Sequence, residues 1–249
     1  MANDLIGLIP AAGKGVRLGL PYPKELYPII RENRFKPIAQ FVVNNLTEAG
    51  LDHIVFVINE TKHQLIGYFG DGHRFGCNIS YVVQERREDG DGSTSPGLAN
   101  ALDAAYHLTR GKTVCFGMAD TIMQPSEVFS LALKESQKHD DVILVLFPTD
   151  RPEKFGMVNF DESNRVLGIV DKPNSTNLKE MWGCIIWRPR FTEYLHECVS
   201  SGISDFAQIM NNAIADGIKM GCVHNNAGVY IDLGTYDEIM EMDRRFRQE

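Results

Sequence analysis

Glycines and cations follow an apolar run in the segment from Leu5 to Leu26, a combination suited to binding phosphate groups. The apolar run, Leu5 to Ile9, is long enough for one buried strand. The small residues that come next are Ala11, Ala12, Gly13 and Gly15. Such residues let a backbone turn sharply and approach a ligand closely, and successive N–H groups in the loop can point at an anion.

Three cations lie in or just after this loop: Lys14, Arg17 and Lys24. Because the whole chain has a net charge of −8, this local positive charge predicts a site for a nucleoside triphosphate. Gly13, Gly15 and Gly19 also fit a dinucleotide-binding loop, but Pro21 and Pro23 stand where that motif requires a helix. A third interpretation is a tight strand–loop connection whose cations are solvated.

Two aspartates lie at the ends of later apolar runs. Asp120 comes soon after the run Thr113 to Gly117, and Asp232 ends the run Val229 to Asp232. An acid at the carboxyl edge of a parallel strand lies in the ligand crevice of such sheets. For Asp120 this predicts a Mg²⁺ ligand, since Mg²⁺ is usually bound by one or two carboxylates together with substrate phosphates. The alternative for Asp120 is a cap on the following turn.

The segment Glu85 to Pro96 is the most polar and glycine-rich part of the chain and predicts a surface loop. Within it, Asp89-Gly90-Asp91 spells the DxD pattern that some glycosyltransferases use to hold a metal. Flanking glycine, rather than an apolar strand, favours a solvated loop tip over a metal site.

Composition excludes several classes of protein. The negative net charge argues against a nucleic-acid partner. No apolar run approaches the roughly 18 residues of a membrane span, and no signal peptide is visible, so we expect a cytoplasmic protein. The five cysteines lie far apart and the histidines lack zinc-ligand spacing, which predicts free, packed thiols and gives no support for structural zinc.

Apolar runs and helical periodicity alternate along the first 150 residues, which predicts a parallel sheet with helices on both faces. The predicted strands are 5–9, 53–58, 78–83, 113–117 and 142–147, and the predicted helices are 37–49, 62–69, 97–108 and 125–139. We expect one domain with a nucleotide-binding half (1–150) and a substrate-binding half (151–249).

The second half has a different pattern. Strands are predicted at 156–160 and 166–170 around a hairpin-like turn, and Asp171-Lys172 ends this hairpin with a cation. The remaining predicted strands are 182–187, 218–223 and 229–232, and the remaining helices are 191–198, 206–215 and 235–246.

Five patches in order, between Ile6 and Met240, together resemble the sugar-1-phosphate nucleotidylyltransferases, also called NDP-sugar pyrophosphorylases. The patches are AAGKGVRL with PKEL, Val83-Gln84 with Gly97-Leu98-Ala99, FGMADTI, PEKFGMVNFDESNRVLGIVDKP with WGCIIW, and YIDLGTYDEI. The resemblance is nearest to glucose-1-phosphate thymidylyl- and uridylyltransferases. It departs from the family at Val16, Ala119 and Asp171, where Thr, Gly and Glu are usual, and in a short spacing between Arg17 and Lys24.

This resemblance implies a three-layer α/β/α Rossmann-like nucleotidyltransferase fold with a mixed, mostly parallel central sheet. It implies an enzyme that takes a pyrimidine nucleoside triphosphate, dTTP or UTP, and a sugar-1-phosphate and makes an NDP-sugar and pyrophosphate. The sugar phosphate attacks the α-phosphorus in line, assisted by Mg²⁺. Relatives often form homo-oligomers.

The resemblance also assigns roles to residues. Those expected in catalysis are Arg17, Lys24 and Lys172. Those expected to bind the nucleotide are Ala11, Ala12, Gly13, Lys14, Gly15, Gln84 and Gly97. Those expected to bind the sugar phosphate are Gly156, Asp171, Lys172 and Gly183. Those expected to bind the metal are Asp120 and Asp232.

Three alternatives stay open. The short Arg17–Lys24 spacing is also typical of cytidylyltransferases that act on a non-sugar alcohol phosphate. A glycosyltransferase of related fold would use the Asp89-Gly90-Asp91 loop, and a regulator would bind a nucleotide or NDP-sugar without catalysis.

Overall fold

The computed structural model describes residues 4–13, 19–31, 34–85, 97–135 and 140–246. The strands are β1 (Leu5–Pro10), β2 (Pro28–Arg31), β3 (Arg34–Pro37), β4 (His53–Ile58), β5 (Asn78–Val83), β6 (Thr113–Gly117), β7 (Thr121–Gln124), β8 (Val142–Pro148), β9 (Gly156–Phe160), β10 (Val166–Asp171), β11 (Glu180–Trp187), β12 (Met220–His224) and β13 (Val229–Asp232). The helices are α1 (Ile38–Glu48), α2 (His63–Phe69), α3 (Leu98–Ala104), α4 (Tyr106–Thr109), α5 (Val128–Glu135), α6 (Pro189–Ser200), α7 (Phe206–Ala215) and α8 (Tyr236–Phe246).

One mixed sheet of nine strands forms the centre of the molecule. Its first block, β5-β4-β1-β6, is parallel throughout. The long strand β11 runs antiparallel to β6 on one side and to β8 on the other, and β12 extends the sheet parallel to β8. The β9–β10 hairpin joins the sheet through the start of β11. The predicted mixed sheet is confirmed. Among the described strands, its parallel and antiparallel pairings are equal in number, because β11 lies within the sheet and runs antiparallel to β6, β8 and β9.

The sheet is covered on both faces, which confirms the three-layer arrangement. Along β4, Val55 and Val57 pack on one face, and Ile54, Phe56 and Ile58 pack on the other. The first face is covered by α3, α6 and α7, and the second by α1, α2 and α5. A strand buried on both sides must be apolar at every position, which is why these strands were readable as continuous apolar runs.

Most predicted elements are present with shifted ends. The hairpin β9–β10, strand β11 and helix α7 agree well with the sequence, and α1 is followed by Gly50, which has φ +83° as a helix stop requires. The predicted helix 97–108 is instead α3 and α4, separated at Ala105. The Asp89-Gly90-Asp91 pattern lies outside the described residues, as do residues 136–139 of the predicted helix 125–139.

Two short sheets were not predicted: the hairpin β2–β3 and the antiparallel pair β7–β13. Among the described residues, no helix combines the length and apolar character needed to cross a membrane. The five cysteines are buried free thiols.

Candidate functional site

The two predicted metal ligands, Asp120 and Asp232, lie side by side. Strand β6 ends at Gly117, and Asp120 directly precedes β7. Strand β13 pairs with β7 so that its last residue, Asp232, stands opposite Thr121. The next N–H along the chain, that of Leu233, donates to the carbonyl oxygen of Asp120 at 3.0 Å. The unpredicted β7–β13 ladder is therefore what brings together two acids that are distant in sequence.

Lys24 lies beside this pair of acids. Its Nζ forms an ion pair and a hydrogen bond with Oδ2 of Asp120, and the two side chains are only 11% and 17% exposed. Burial alone would lower the pKa of the Lys24 ammonium. The charge of Asp120, its hydrogen bond, and the charges of Glu25 and Asp232 outweigh that effect and hold the pKa above its ordinary value. Lys24 is therefore a permanent cation, suited to binding phosphate rather than to accepting a proton.

A buried ion pair anchors the turn that carries Lys24. Lys62 Nζ donates to Oε1 of the neighbouring Glu25 at 2.6 Å, and both side chains are less than 5% exposed. The pair joins the turn Lys24–Leu26 to the start of α2. Within the described part of the chain, the second oxygen of Glu25, Oε2, is buried without a hydrogen-bond partner. Burial raises the pKa of Glu25, and Lys62 opposes that rise.

The start of the predicted triphosphate loop is fixed by backbone contacts. The N–H of Ala11 donates to Val57 O at 2.7 Å, and Asn59 Nδ2 donates to Ala12 O at 2.8 Å. Asn59 Oδ1 in turn accepts from both N and Oγ1 of Thr61. Asn59 was not selected from the sequence, although its position directly after β4, as a polar residue at a strand end, could have indicated a role. At Gly13 an added Cβ would meet no atom of the described residues within 4 Å.

Three predicted residues of that loop, Lys14, Gly15 and Arg17, lie outside the described residues. Gln84 directly follows β5, and its N–H donates to Ile58 O at 2.8 Å. It is not among the described residues that line the pocket below, and its contact with a base stays a prediction.

A pocket of about 730 Å³ opens beside the acidic pair. The predicted site residues that line it are Gly97, Asp120, Gly156, Asp171, Lys172 and Asp232. Gly156 and Asp171 are direct partners across the β9–β10 hairpin. The hairpin and the β7–β13 ladder thus bring predicted sugar-phosphate and metal ligands to one cavity.

Lys172 has an unusual backbone for a residue other than glycine, with φ +45°. Its N–H donates to Phe155 O at 3.0 Å, which holds the residue close to the start of β9. Its Nζ lies 3.8 Å from Oδ2 of Asp171, but both side chains are largely exposed, so this contact contributes little stability. Backbone strain of this kind is often found at functional sites.

Two predicted glycines permit close approach of aromatic rings. A Cβ on Gly156 would lie 2.2 Å from Nε1 of Trp182, so the indole covers this glycine. A Cβ on Gly183 would lie 2.5 Å from Cε2 of Phe147 and 2.8 Å from Cδ2 of Tyr230. Gly183 is not among the described pocket residues. It lies behind Tyr230, which does line the pocket.

The pocket also has residues that sequence reasoning did not select. The apolar and aromatic members include Trp182, Phe206, Met210 and Tyr230. The charged ones are Lys154, Asp205 and Glu238. Signals existed for Lys154 and Trp182, since Lys154 precedes Phe155-Gly156 and Trp182 precedes Gly183 in recognised patches. Glu238 also lies in a recognised patch, YIDLGTYDEI, whereas nothing local marked Asp205, which precedes α7.

The donor set at the acidic pair fits a divalent cation that shares its coordination with phosphates. Asp120 and Asp232 offer hard carboxylate oxygens, and within the described ranges no three His, Cys, Asp or Glu side chains form a closed metal cage. Mg²⁺ typically uses one or two carboxylates and completes its shell with water and substrate phosphates.

Comparison with known families matches residues 6–249 to the Nucleotidyl transferase family. A glucose-1-phosphate thymidylyltransferase of Neisseria meningitidis is 27% identical, over 94% of this chain and 80% of that protein. A nucleotidyltransferase of low-salt glycan biosynthesis from Haloferax volcanii is 24% identical, over 96% of this chain and 65% of that protein. The chain therefore spans just under two thirds of the second relative's length.

A solved structure has the same fold. UDP-glucose pyrophosphorylase complexed with UDP-glucose superimposes with a TM-score of 0.80 at 21% sequence identity, covering 100% of this chain and 99% of the other. At this identity the likeness demonstrates the shared architecture of sheet and helices.

Proposed function

Because the chain belongs to the Nucleotidyl transferase family, we propose that it joins a pyrimidine nucleoside triphosphate, dTTP or UTP, to a sugar-1-phosphate and releases pyrophosphate. The chain is a nucleotidyltransferase of the group that includes thymidylyl- and uridylyltransferases of glucose-1-phosphate. The choice of base and sugar, the use of Mg²⁺ and the roles of individual residues are parts of the proposal.

The observation that carries the proposal is that Asp120 and Asp232 line one pocket together with Lys172, while Lys24 pairs with Asp120. A reaction between two phosphate-bearing substrates needs charge neutralisation at both. The two carboxylates can hold a cation, the Lys24 ammonium can bind the triphosphate, and the Lys172 ammonium can bind the acceptor.

In the proposed reaction, Asp120 and Asp232 would hold Mg²⁺, and the bound cation would supply charge neutralisation for the triphosphate. Lys24 binds the α-phosphate, and Arg17 neutralises the leaving pyrophosphate. Lys172 binds the sugar phosphate. One oxygen of that phosphate forms a bond to the α-phosphorus, and the bond from the α-phosphorus to the pyrophosphate oxygen breaks in line with it. Positioning and electrostatics supply the rate.

The two halves of the chain divide this work in the proposal. Residues 1–150 bind the nucleotide through Ala11, Ala12, Gly13, Lys14, Gly15, Gln84 and Gly97. Residues 151–249 bind the sugar phosphate through Gly156, Asp171, Lys172 and Gly183, and add Asp232 to the metal site.

The experiment is a pyrophosphate-release assay with Mg²⁺ that crosses five nucleoside triphosphates with a panel of sugar-1-phosphates and phosphocholine. Release with dTTP or UTP and one sugar-1-phosphate is the expected result. Release only with CTP and phosphocholine would replace the proposal by a cytidylyltransferase of a non-sugar phosphate. Absence of release with every pair, while a triphosphate still binds, would refute the proposed reaction.

Variants test the residue roles. Asp120→Asn and Arg17→Ala should each lower kcat by about 100-fold or more, the scale of losing one electrostatic stabiliser of the transition state. Asp52→Asn is the matched control, since Asp52 is exposed beside β4 and does not line the pocket. Near-wild-type turnover by either site variant would show that its assigned role is wrong.

A further inference from the structure

Lys154 is a cation of the pocket that the proposed reaction leaves without a role. Among the described residues that line the cavity, the positively charged ones are Lys154 and Lys172, against the acids Asp120, Asp171, Asp205, Asp232 and Glu238. An acceptor phosphate that enters so acidic a cavity needs more than one cation near it. The Lys154 side chain lines the cavity and is about one third exposed.

The two lysines belong to one wall. Lys154 ends the short turn Pro152–Lys154, and the next residue is Phe155, whose carbonyl accepts the N–H of Lys172. One hydrogen bond at 3.0 Å therefore links the backbones that carry both ammonium groups. This link keeps Lys154 and Lys172 on the same side of the cavity, where both can approach one anionic group.

Glu238 holds Lys154 in place. Lys154 Nζ donates to Oε1 of Glu238, which is 7% exposed. The other oxygen, Oε2, accepts from Thr235 N at 3.0 Å, and Thr235 Oγ1 caps the Glu238 N–H in return, as in a capping box at the start of α8. The carboxylate is therefore fixed by its own helix. Because α8 follows Asp232 closely, this contact also ties the lysine wall to the acidic pair.

Glu238 has a second cation within reach. Arg151 Nη1 lies 3.7 Å from the same Oε1, with a side chain that is nearly half exposed. If Lys154 turns toward an anion in the pocket, Arg151 can remain with Glu238, so the buried carboxylate keeps a positive partner. This lowers the cost of moving Lys154, because a buried charge left alone is strongly unfavourable.

We propose that Lys154 is a second cation for the phosphate monoester of the acceptor substrate, with Glu238 as the positioning residue that aims it. This rests on the proposed function. Lys154 and Lys172 together bind one phosphate dianion, so the phosphate group contributes more to recognition of the acceptor than its sugar hydroxyls do.

The test compares Lys154→Met, Lys154→Arg and Lys219→Met. Lys154→Met should raise KM for the sugar-1-phosphate by about 10- to 100-fold, the range expected for one lost charge-assisted hydrogen bond. KM for the nucleoside triphosphate should change by less than about 2-fold, which also shows that the variant is folded. Lys154→Arg should retain most of the affinity. Lys219, exposed just before β12 and not among the described pocket residues, is the matched control.

Glu238→Gln tests the positioning role. It should raise KM for the sugar-1-phosphate less than Lys154→Met does, and added to Lys154→Met it should raise that KM little further. An equal rise of both substrates' KM values in Lys154→Met, or no rise in either, overturns the proposal.

Direct binding separates this inference from the proposed function. Glucose-1-phosphate and inorganic phosphate are titrated into the wild type and Lys154→Met by calorimetry. Loss of phosphate binding in Lys154→Met supports the inference even if no pyrophosphate is released by the wild type. Turnover by the wild type with unchanged phosphate binding in Lys154→Met overturns the inference and leaves the proposed function standing. Binding of neither probe by the wild type overturns the inference as well.

Discussion

The buried pair of Glu25 and Lys62 allows a quantitative prediction for Lys62→Met. Methionine fills a similar volume but removes the ammonium, and this leaves Glu25 charged and almost fully buried. Breaking a buried ion pair from one side typically destabilises a protein by about 3–5 kcal/mol. We expect the upper part of this range, since Glu25 Oε2 already has no hydrogen-bond partner among the described residues.

The loss should depend on pH, with a sign that follows from the pKa of Glu25. Burial raises this pKa, and Lys62 opposes the rise, so Lys62→Met should raise it further. A carboxyl whose pKa is higher in the folded than in the unfolded chain contributes stability at low pH, and this is lost as pH rises through the folded value. The destabilisation should therefore be largest at about pH 8 and smaller at about pH 5, because acidification shifts Glu25 toward its neutral form.

The assay is urea unfolding of wild type and variants at both pH values. Arg190→Met is the matched control, since Arg190 pairs with Asp141 at a similar 2.9 Å but is 56% exposed. It should cost less than about 1 kcal/mol. The double variant Glu25→Leu/Lys62→Met removes both charges and should recover most of the lost stability.

Two results would refute this reasoning. One is a loss for Lys62→Met at about pH 8 that is no larger than that of Arg190→Met. The other is a loss that stays constant or grows on acidification, which would mean that the charge on Glu25 is not its cause.

Two further predictions concern the walls of the pocket. The side chain of Asn211 on α7 accepts a hydrogen bond from Ile169 N at 2.9 Å and donates one to Ile169 O at 2.8 Å, and Ile169 lies on β10. Asn211→Ala should therefore lower the free energy of unfolding, measured in urea titrations, by about 1–3 kcal/mol. An unchanged unfolding midpoint would contradict this prediction. Gly183→Ala should cost about 1–3 kcal/mol, because its Cβ would overlap the Phe147 ring. The matched control is Gly67→Ala within α2, where a Cβ would meet no atom of the described residues within 4 Å and alanine should slightly stabilise the helix. Equal melting temperatures for the two glycine variants would show that the packing behind Tyr230 is looser than described.

The sequence was sufficient for the elements whose signal is local. Strand β4 is apolar at every position from Ile54 to Ile58 because both faces are covered, and the turn composition between β9 and β10 marked a hairpin. The positions of Asp120 and Asp232 after or within strands were also readable. Their proximity was expected only from the family resemblance, because it depends on β7 pairing with β13 across a long stretch of chain.

The contacts that fix the cations were likewise hidden from the sequence. Nothing around Lys62 or Glu238 indicates that each is nearly buried and paired with a residue from a different element. Long charged side chains are usually exposed, so composition argues for solvated positions there. Only the tertiary arrangement shows that Lys24 pairs with Asp120, Lys62 with Glu25 and Lys154 with Glu238.

The central position of β11 has a consequence for how the protein is made. Strand β8 is apolar and buried from Val142 to Phe147, yet its partners among the described strands are β11 and β12, which are synthesised later. A nascent chain that ends near residue 150 therefore carries an unpaired apolar strand, and β6 is an open edge of its sheet until β11 arrives. Such edges invite pairing with other chains. We expect ribosome-bound or truncated forms of this length to aggregate or to bind chaperones. This tendency should fall once residues 180–187 are available to pair with β6 and β8.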